Sequence, residues 1–502
     1  MSTGTGTTRE THTLTTTVFG SGTYTYLPFD VPPGVSRIDG HVSASRRTMV
    51  GIGLFDARGC EFQSPGFRGV HGAERPDFFV AADSAAEGFL PGPMDPGTWT
   101  VILPVFFAPL PARLTVTITV TLGPPPLTPF RPGPMPGTVL DLPGWYRTDL
   151  HCHGPASTDA YACGTSLDPT AWAATCRRIG LDAVALTDHN VVSQNLDLAR
   201  AAGDDVLLLA GEEMTDWFHG HATVSGLEPM QWLDWRLSPF GLALPQRGAR
   251  VAEFLRLADE MGAYVAVAHP FRPGVAWQYL LEAAMVPAAR VGGFEVWSGP
   301  WHPDDELALR AWDRMLRRGW RVWANGGSDL HSEFGDRVAG TPTTVVYAEA
   351  LAKEPIVTAL RAGRCFVMAD PDGVEVYLTA RTPDGRQAAF VGGSIWGDAG
   401  DEVIVETRVR HGAGHRLRLV GESGVLAQEL VAADDVTVVR PLRIPPRHGY
   451  VRAEVRPAKS RWRMVAFTNP VLLRVGERPA SDPAVQVAPP PQHSGPRRRL
   501  PS

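Results

Sequence analysis

Between Leu140 and about Ala369, strand-like runs alternate with helical stretches, and no other feature narrows the possible folds as much. "GWYRTDL", "DAVALTD", "DVLLLAG", "AYVAVAH", "VGGFEVW" and "VWANGGSD" are short and rich in apolar residues. Between them lie "PTAWAATCRRIG", "ARVAEFLRLADEMG" and "DELALRAWDRMLRRG", whose apolar residues recur at three- and four-residue spacing, the mark of an amphipathic helix. Such alternation requires parallel strands joined by right-handed crossovers, as a barrel or as an open doubly wound sheet.

The chain has 502 residues, more than one core organises, so two or three domains are expected. Residues 1–122 offer short β-branched and aromatic runs such as "TYTYLPFDV" and "RLTVTITVTL", separated by Gly, Pro and Asp, which predict an N-terminal β-sandwich. "GPPPLTPFRPGPMPG" breaks every regular element, so residues 123–139 read as a stiff linker. The α/β domain takes residues 140–370. A β pattern returns over residues 371–477 as a C-terminal β-sandwich, and residues 478–502 form a Pro-rich tail expected to be disordered.

Charge and cysteine usage exclude several classes. The formal net charge is −6, and the basic run Arg497, Arg498, Arg499 sits in the tail, so no stable nucleic-acid partner is expected. No run reaches the ~18 apolar residues of a membrane span, and the opening lacks a signal-peptide pattern. Five cysteines at unpatterned spacing fit free thiols, which makes a cytoplasmic location the expectation.

Chemistry concentrates where the strands end. The first closes on His151-Cys152-His153, the next on Thr187-Asp188-His189, the third on Gly211-Glu212-Glu213, and later ones on His269 and on Asp329-Leu330-His331; "GHATVSG" adds His221. In a parallel α/β domain the carboxyl ends of strands form one rim, so these groups would converge. Alternation along a strand puts His151 and His153 on one face and turns Cys152 away, and it pairs Asp329 with His331. His151, His153, His189, Glu213, His221, His269, Asp329 and His331 are too many ligands for one ion. Two or three adjacent divalent ions fit better, and the nitrogen and oxygen donors point to Zn²⁺, Mn²⁺ or Fe²⁺.

The ordered set "DLHCH", "GLDAVALTDHN", "GEEMT" with "GHATVSGL", "AHPFRPG", "FEVWSG" and "GGSDLHS" resembles the PHP (polymerase and histidinol phosphatase) domain, in particular its CehA/McbA branch, over Tyr146 to Ser332. The resemblance implies a distorted seven-stranded β/α barrel, TIM-like, with a di- or trinuclear metal centre. It also implies phosphoester hydrolysis in most of the superfamily, and carbamate ester cleavage in this branch. Carried over by motif, the ligands fall on the eight residues above, with Glu213 preferred to Glu212 and His221 to His219. The family's further ligand after the first pair maps to Asp159, with Asp168 the poorer candidate.

The expected activity is therefore that of a metal-dependent phosphoesterase acting on a small molecule, with hydroxide on the metals as nucleophile. Carbamate, ester or amide hydrolysis on the same site is the alternative, and a binding scaffold with a vestigial barrel is the second. Asp188 is expected to orient an adjacent histidine, and Arg272 to clamp an anionic group of the substrate. Trp297 and Trp301 could wall the pocket or simply pack. Oligomeric state is left open.

Overall fold

The computed structural model describes residues 8–45, 47–124, 128–279, 292–332, 337–460 and 462–479. Of the linker, residues 125–127 lie outside the described residues, and so does all of the expected disordered tail beyond Pro479. The chain is a mixed α/β protein, mostly strands with few helices.

Among the described residues, eight strands, from β1 (Thr8–Gly20) to β8 (Gly97–Leu122), build the N-terminal part. The 26 residues of β8 pair with β2 (Thr23–Val31) through their first half, and with β1 and β3 (Val35–Ser43) through their second. Successive side chains of a strand face opposite ways, so Val101, Leu103 and Val105 from one half and Leu114, Val116, Ile118 and Val120 from the other fill a single buried core. These sheets are sandwich-like.

The central strands are neighbours in sequence order: β9 (Gly144–Cys152), β10 (Ala183–Leu186), β11 (Leu207–Asp216), β12 (Gly220–Ser225), β13 (Tyr264–Ala268), β14 (Gly293–Ser298) and β15 (Trp323–Gly327). The outer pairs are parallel, as the alternation requires, but β11 with β12 and β12 with β13 run antiparallel. The expectation of uniformly parallel strands fails there because only Trp217, Phe218 and His219 separate β11 from β12. So short a connection can make a hairpin but not a crossover. A regular TIM pattern of helix after every strand is absent among the described residues. After β15 the chain returns to the first strand of the series: Asp329 N–H donates to His151 O at 2.8 Å, and His153 N–H donates to Leu330 O at 3.0 Å. Gly327 permits the approach, since a Cβ there would lie 2.4 Å from that of His151.

The helices expected from apolar spacing are present as Pro169–Ile179, Leu244–Glu260 and Pro303–Arg317. Beyond them, β16 (Thr343–Ala348) pairs with β9, and β17 (Cys365–Met368) pairs with β16 and then with a later strand, Ala466–Thr468. A sheet continuous with the central strands thus runs on into the C-terminal part. A separate four-stranded sheet packs beside it, and Val345 and Phe366 share one core with Val405, Val451 and Val471. Among the described residues no helix is long and apolar enough to cross a membrane, and all five cysteines are free.

Candidate metal centre

The side chains at the ends of β9 to β15 meet in one buried cluster around Glu213. Its Oε2 lies 3.3 Å from Nε2 of both His151 and His153 and 2.8 Å from His189 Nδ1. Its Oε1 lies 3.0 Å from His221 Nδ1 and 3.2 Å from His269 Nε2. Asp329 Oδ1 is the second hub, 3.4 Å from His151 Nε2 and 3.3 Å from His153 Nε2. Asp159, on a short helix of residues Thr158–Cys163, closes the open side, with Oδ2 at 3.1 Å from His189 Nε2 and 3.0 Å from His331 Nε2. The structure therefore brings together all nine residues proposed as ligands from sequence.

Strand alternation accounts for only part of this. His151 is the penultimate residue of β9 and His153 lies just past its end, on the same side. Asp329 and His331 lie beyond the end of β15, on either side of Leu330, which forms a single parallel bridge to Cys152 of β9. Asp329 takes φ 49° there and His269 takes φ 25°, left-handed values that L-residues adopt at a cost. Hydrogen bonds hold both: Asp329 N–H donates to His151 O at 2.8 Å, and His269 N–H to Glu295 Oε2 at 2.7 Å.

The hydrogen bonds behind the cluster decide which ring nitrogen is free. His151 Nδ1 is 2.9 Å from Glu295 Oε1, a carboxylate that can only accept, so Nδ1 carries a proton and Nε2, which faces Glu213 and Asp329, is the atom that would ligate an ion. His153 Nδ1 is likewise engaged by Ser157 Oγ at 2.8 Å. Nε2 of His151, His153 and His221 are buried and make no hydrogen bond. A buried polar atom without a partner is costly, and so many converging on one spot suit a bound cation. Three groups of side chains could each hold a metal ion: His151, His153, Glu213 with Asp329; His153, His189 with His331; and His189, Glu213 with His221. All donors are nitrogen or oxygen, so the site fits divalent ions of the Zn²⁺, Mn²⁺ or Fe²⁺ kind.

Electrostatics follow from the same contacts. Burial works against the Glu213 anion, but His189, His151 and His221 outweigh it and hold its pKa well below the usual carboxylate range. Asp329 is held down in the same way, by His151 and Arg272. Burial brings His221 down to about 4, and burial with the neighbouring His331 and His189 brings His153 down to about 3, so both rings stay neutral with a lone pair to offer.

Other expected residues resolve as follows. Glu212 points away, accepting from Leu233 N–H at 2.8 Å, and His219 lies between Asp216 and Arg247 at 3.2 Å from each, outside the cluster. Asp168 caps the helix Pro169–Ile179 by accepting from Ala171 N–H at 2.7 Å. The Cys152 thiol faces Ala185 O at 3.0 Å, away from the cluster. Asp188 is buried with a pKa pushed up to about 7 by that burial, and it accepts from Gly154 N–H, so it fixes the loop after His153 and bonds no ligand histidine directly. Arg272 reaches the cluster, but its guanidinium is engaged by Asp329 and, at 2.9 Å, by Ser298 O. That makes it an anchor for Asp329 more than a free clamp. Trp297 and Trp301 are buried against each other, with Trp297 also against Phe467, so they pack and wall no pocket.

Sequence reasoning missed Glu295, Ser157 and Trp217. Glu295 had a signal, a carboxylate in the apolar strand "GGFEVW". Ser157 had none. Trp217, with its ring centroid 5.1 Å from that of His189, lies in a hairpin turn the sequence did not reveal.

No family model matches the chain, and no curated protein does. Among solved structures it is similar to a two-domain protein of Bacteroides vulgatus containing a predicted PHP-like metal-dependent phosphoesterase, at 19% identity over 68% of this chain and 100% of that one, with TM-score 0.37. It is also similar to a Bacteroides uniformis beta-glucuronidase, at 9% identity over 90% of this chain and 74% of that one, TM-score 0.20. A family two carbohydrate esterase of Cellvibrio japonicus follows at 14% identity over 70% and 96%, TM-score 0.15. Scores this low leave the functional reading to the geometry of the cluster.

Proposed function

We propose that the chain is a metal-dependent hydrolase, a phosphoesterase acting on a small molecule through two or three divalent ions held by the Glu213 and Asp329 cluster. The observation that carries this is the set of buried ring nitrogens without hydrogen-bond partners on His151, His153 and His221, gathered around Glu213 and Asp329. His269 and Asp159 complete the ligand set in this reading, since each contacts a group member at about hydrogen-bond distance. The reading also takes β9 to β15 as a distorted seven-stranded barrel of the PHP kind between two sandwich domains, supported by the bonds that return the chain from Asp329 and Leu330 to β9.

Such ions, when bound, supply Lewis acidity: they polarise an ester oxygen and shift the pKa of water toward neutrality. The chain's own groups do the rest. Glu295 and Ser157 fix the rings of His151 and His153, Arg272 steadies Asp329, and the buried walls exclude bulk water, which strengthens every charge interaction inside. Two divalent ions with Arg272 outweigh the carboxylates of Glu213, Asp329, Asp159 and Glu295, which favours an anionic ester. Hydrolysis of a carbamate or carboxylic ester on the same site is the second reading, favoured by the Trp217 ring beside His189.

Elemental analysis after metal-replete expression should find two or three ions per chain, and a value below one supports the scaffold alternative instead. Protein loaded separately with Mn²⁺, Zn²⁺ and Fe²⁺ should then hydrolyse phosphomonoesters or phosphodiesters faster than aryl carbamates. The reverse order overturns the phosphoesterase assignment.

A further inference from the structure

The N-terminal sheets do not merely precede the metal-binding part; they sit on the loops that carry it. Gly72 N–H donates to Thr158 Oγ1 at 2.8 Å, one residue from Asp159. Arg75 donates to Pro155 O at 2.8 Å, and its guanidinium lies 3.5 Å over the Tyr161 ring. Gly88 N–H donates to Ser193 Oγ at 2.9 Å, in the segment that follows His189. These contacts fall on two different loops of the rim.

A further contact lies beside the cluster. The ring of Phe106, on β8, meets the ring of Trp217 edge-on at 5.6 Å. Trp217 in turn lies 5.1 Å from the ring of His189 and 5.8 Å from that of His221. Both aromatic side chains are half-buried, so part of each faces open space. The turn that presents Trp217 is held in place, because Asp216 accepts from Tyr279 Oη–H at 2.8 Å and from His219 Nδ1–H at 3.2 Å. His219 Nε2 must accept from Arg247, which cannot give up its proton, and this fixes the His219 tautomer.

We propose that Phe106 of the N-terminal sheet and Trp217 form one aromatic subsite beside His189 and His221, which receives a flat apolar leaving group, so the N-terminal part sets which esters the centre accepts. This rests on the hydrolase reading above and adds a substrate class to it. Two rings at right angles offer a face and an edge, the arrangement a third ring completes most favourably. An ester whose reacting atom lies among the imidazoles would bring the first ring of its leaving group beside the Trp217 ring, which lies next to His189 and His221.

Equilibrium binding of two non-hydrolysable phosphonates to the metal-replete full chain tests this without reference to turnover. Phenylphosphonate should bind more tightly than methylphosphonate. Phe106→Ala should cut that preference about five- to tenfold, the scale of a lost aromatic contact. Phe106→Leu, which keeps the bulk needed for folding, should also cut it, and Phe106→Tyr should keep it. Phe107→Ala, next along the strand and 47% exposed, should leave the preference unaltered. If phenyl- and methylphosphonate bind the wild type equally, or if both Phe106→Ala and Phe106→Leu lower thermal stability while the preference stays intact, Phe106 is only packing between two parts of the chain and the subsite is overturned. Failure of both phosphonates to bind the wild type overturns the phosphoesterase reading and the subsite together.

Discussion

Glu295→Gln is the most discriminating substitution, because the glutamate accepts two hydrogen bonds and glutamine can accept only one in its place. Oε1 takes the proton of His151 Nδ1 at 2.9 Å, and Oε2 takes that of His269 N at 2.7 Å; both groups are buried. With the amide oxygen toward His151, the amide nitrogen faces the His269 N–H, donor against donor. With the amide turned over, His151 Nδ1 loses its acceptor, and the ring is driven to carry its proton on Nε2, the atom aimed at Glu213 and Asp329. The first arrangement leaves a buried donor unsatisfied at a cost of about 1–3 kcal/mol to folding. The second blocks a ligand atom. Removing the partner that orients a ligating histidine lowers metal affinity by about 10–100-fold. Competition of metal-loaded protein against a fluorescent chelator measures this directly, and urea unfolding of the metal-free chain measures the folding cost. A folded Glu295→Gln protein whose metal affinity stays within about twofold of wild type would show that Glu295 does not set the tautomer of His151. The assignment of His151 as a ligand would lose its support.

Two further outcomes follow from the same contacts. Arg272→Ala should lower kcat and metal retention more than it raises KM, because the guanidinium is engaged by Asp329 and Ser298; a rise in KM alone would restore the substrate-clamp role. In the C-terminal part, burial disfavours the Glu454 anion, but Arg452, Arg456 and Arg418 outweigh it and bring its pKa from 4.5 to about 2. A carboxyl depressed on folding stabilises above its ordinary pKa, so about 3 kcal/mol should be present above pH 4.5 and be lost as pH falls toward 2. Urea midpoints of wild type and Glu454→Gln should converge across that interval, and parallel curves would refute the arginine effect.

What was legible in the sequence is what depends on local spacing. Three- and four-residue apolar recurrence located the helices Pro169–Ile179, Leu244–Glu260 and Pro303–Arg317, because one face of a helix must be buried whatever lies opposite. His151 and His153 could be assigned to one face for a similar reason. The direction of β12 was not legible. Its composition matches that of its neighbours, and direction is set by the length of the Trp217 to His219 turn, which became visible only once β11 proved to run on through Glu212 to Asp216. Asp329 and His331 flank Leu330, which bridges to Cys152 of β9 and is buried in the core, as alternation implies, whereas the left-handed turn of the chain at Asp329 has no signal in spacing.

The residues that escaped sequence reading share a physical cause. Glu295, Ser157 and Trp217 each act on a histidine distant in the chain or across a loop, and their side chains match no ligand pattern of their own. A ligand must be imidazole, carboxylate or thiolate, which restricts the choice enough for a motif to show. The group that orients a ligand needs only an acceptor of suitable reach, so carboxylate, hydroxyl or carbonyl can serve, and His151 and His153 in fact use a carboxylate and a hydroxyl for the same task. Phe106 is a stronger case still, since "PVFFAP" reads as an ordinary apolar strand and nothing local distinguishes Phe106 from Phe107. Strand alternation sends the two to opposite faces, and only the docking of the N-terminal sheet onto the loops around Thr158, Ser193 and Trp217 sets Phe106 against Trp217 while Phe107 stays 47% exposed. Ligand chemistry is thus written locally, whereas orientation and specificity depend on contacts between distant segments.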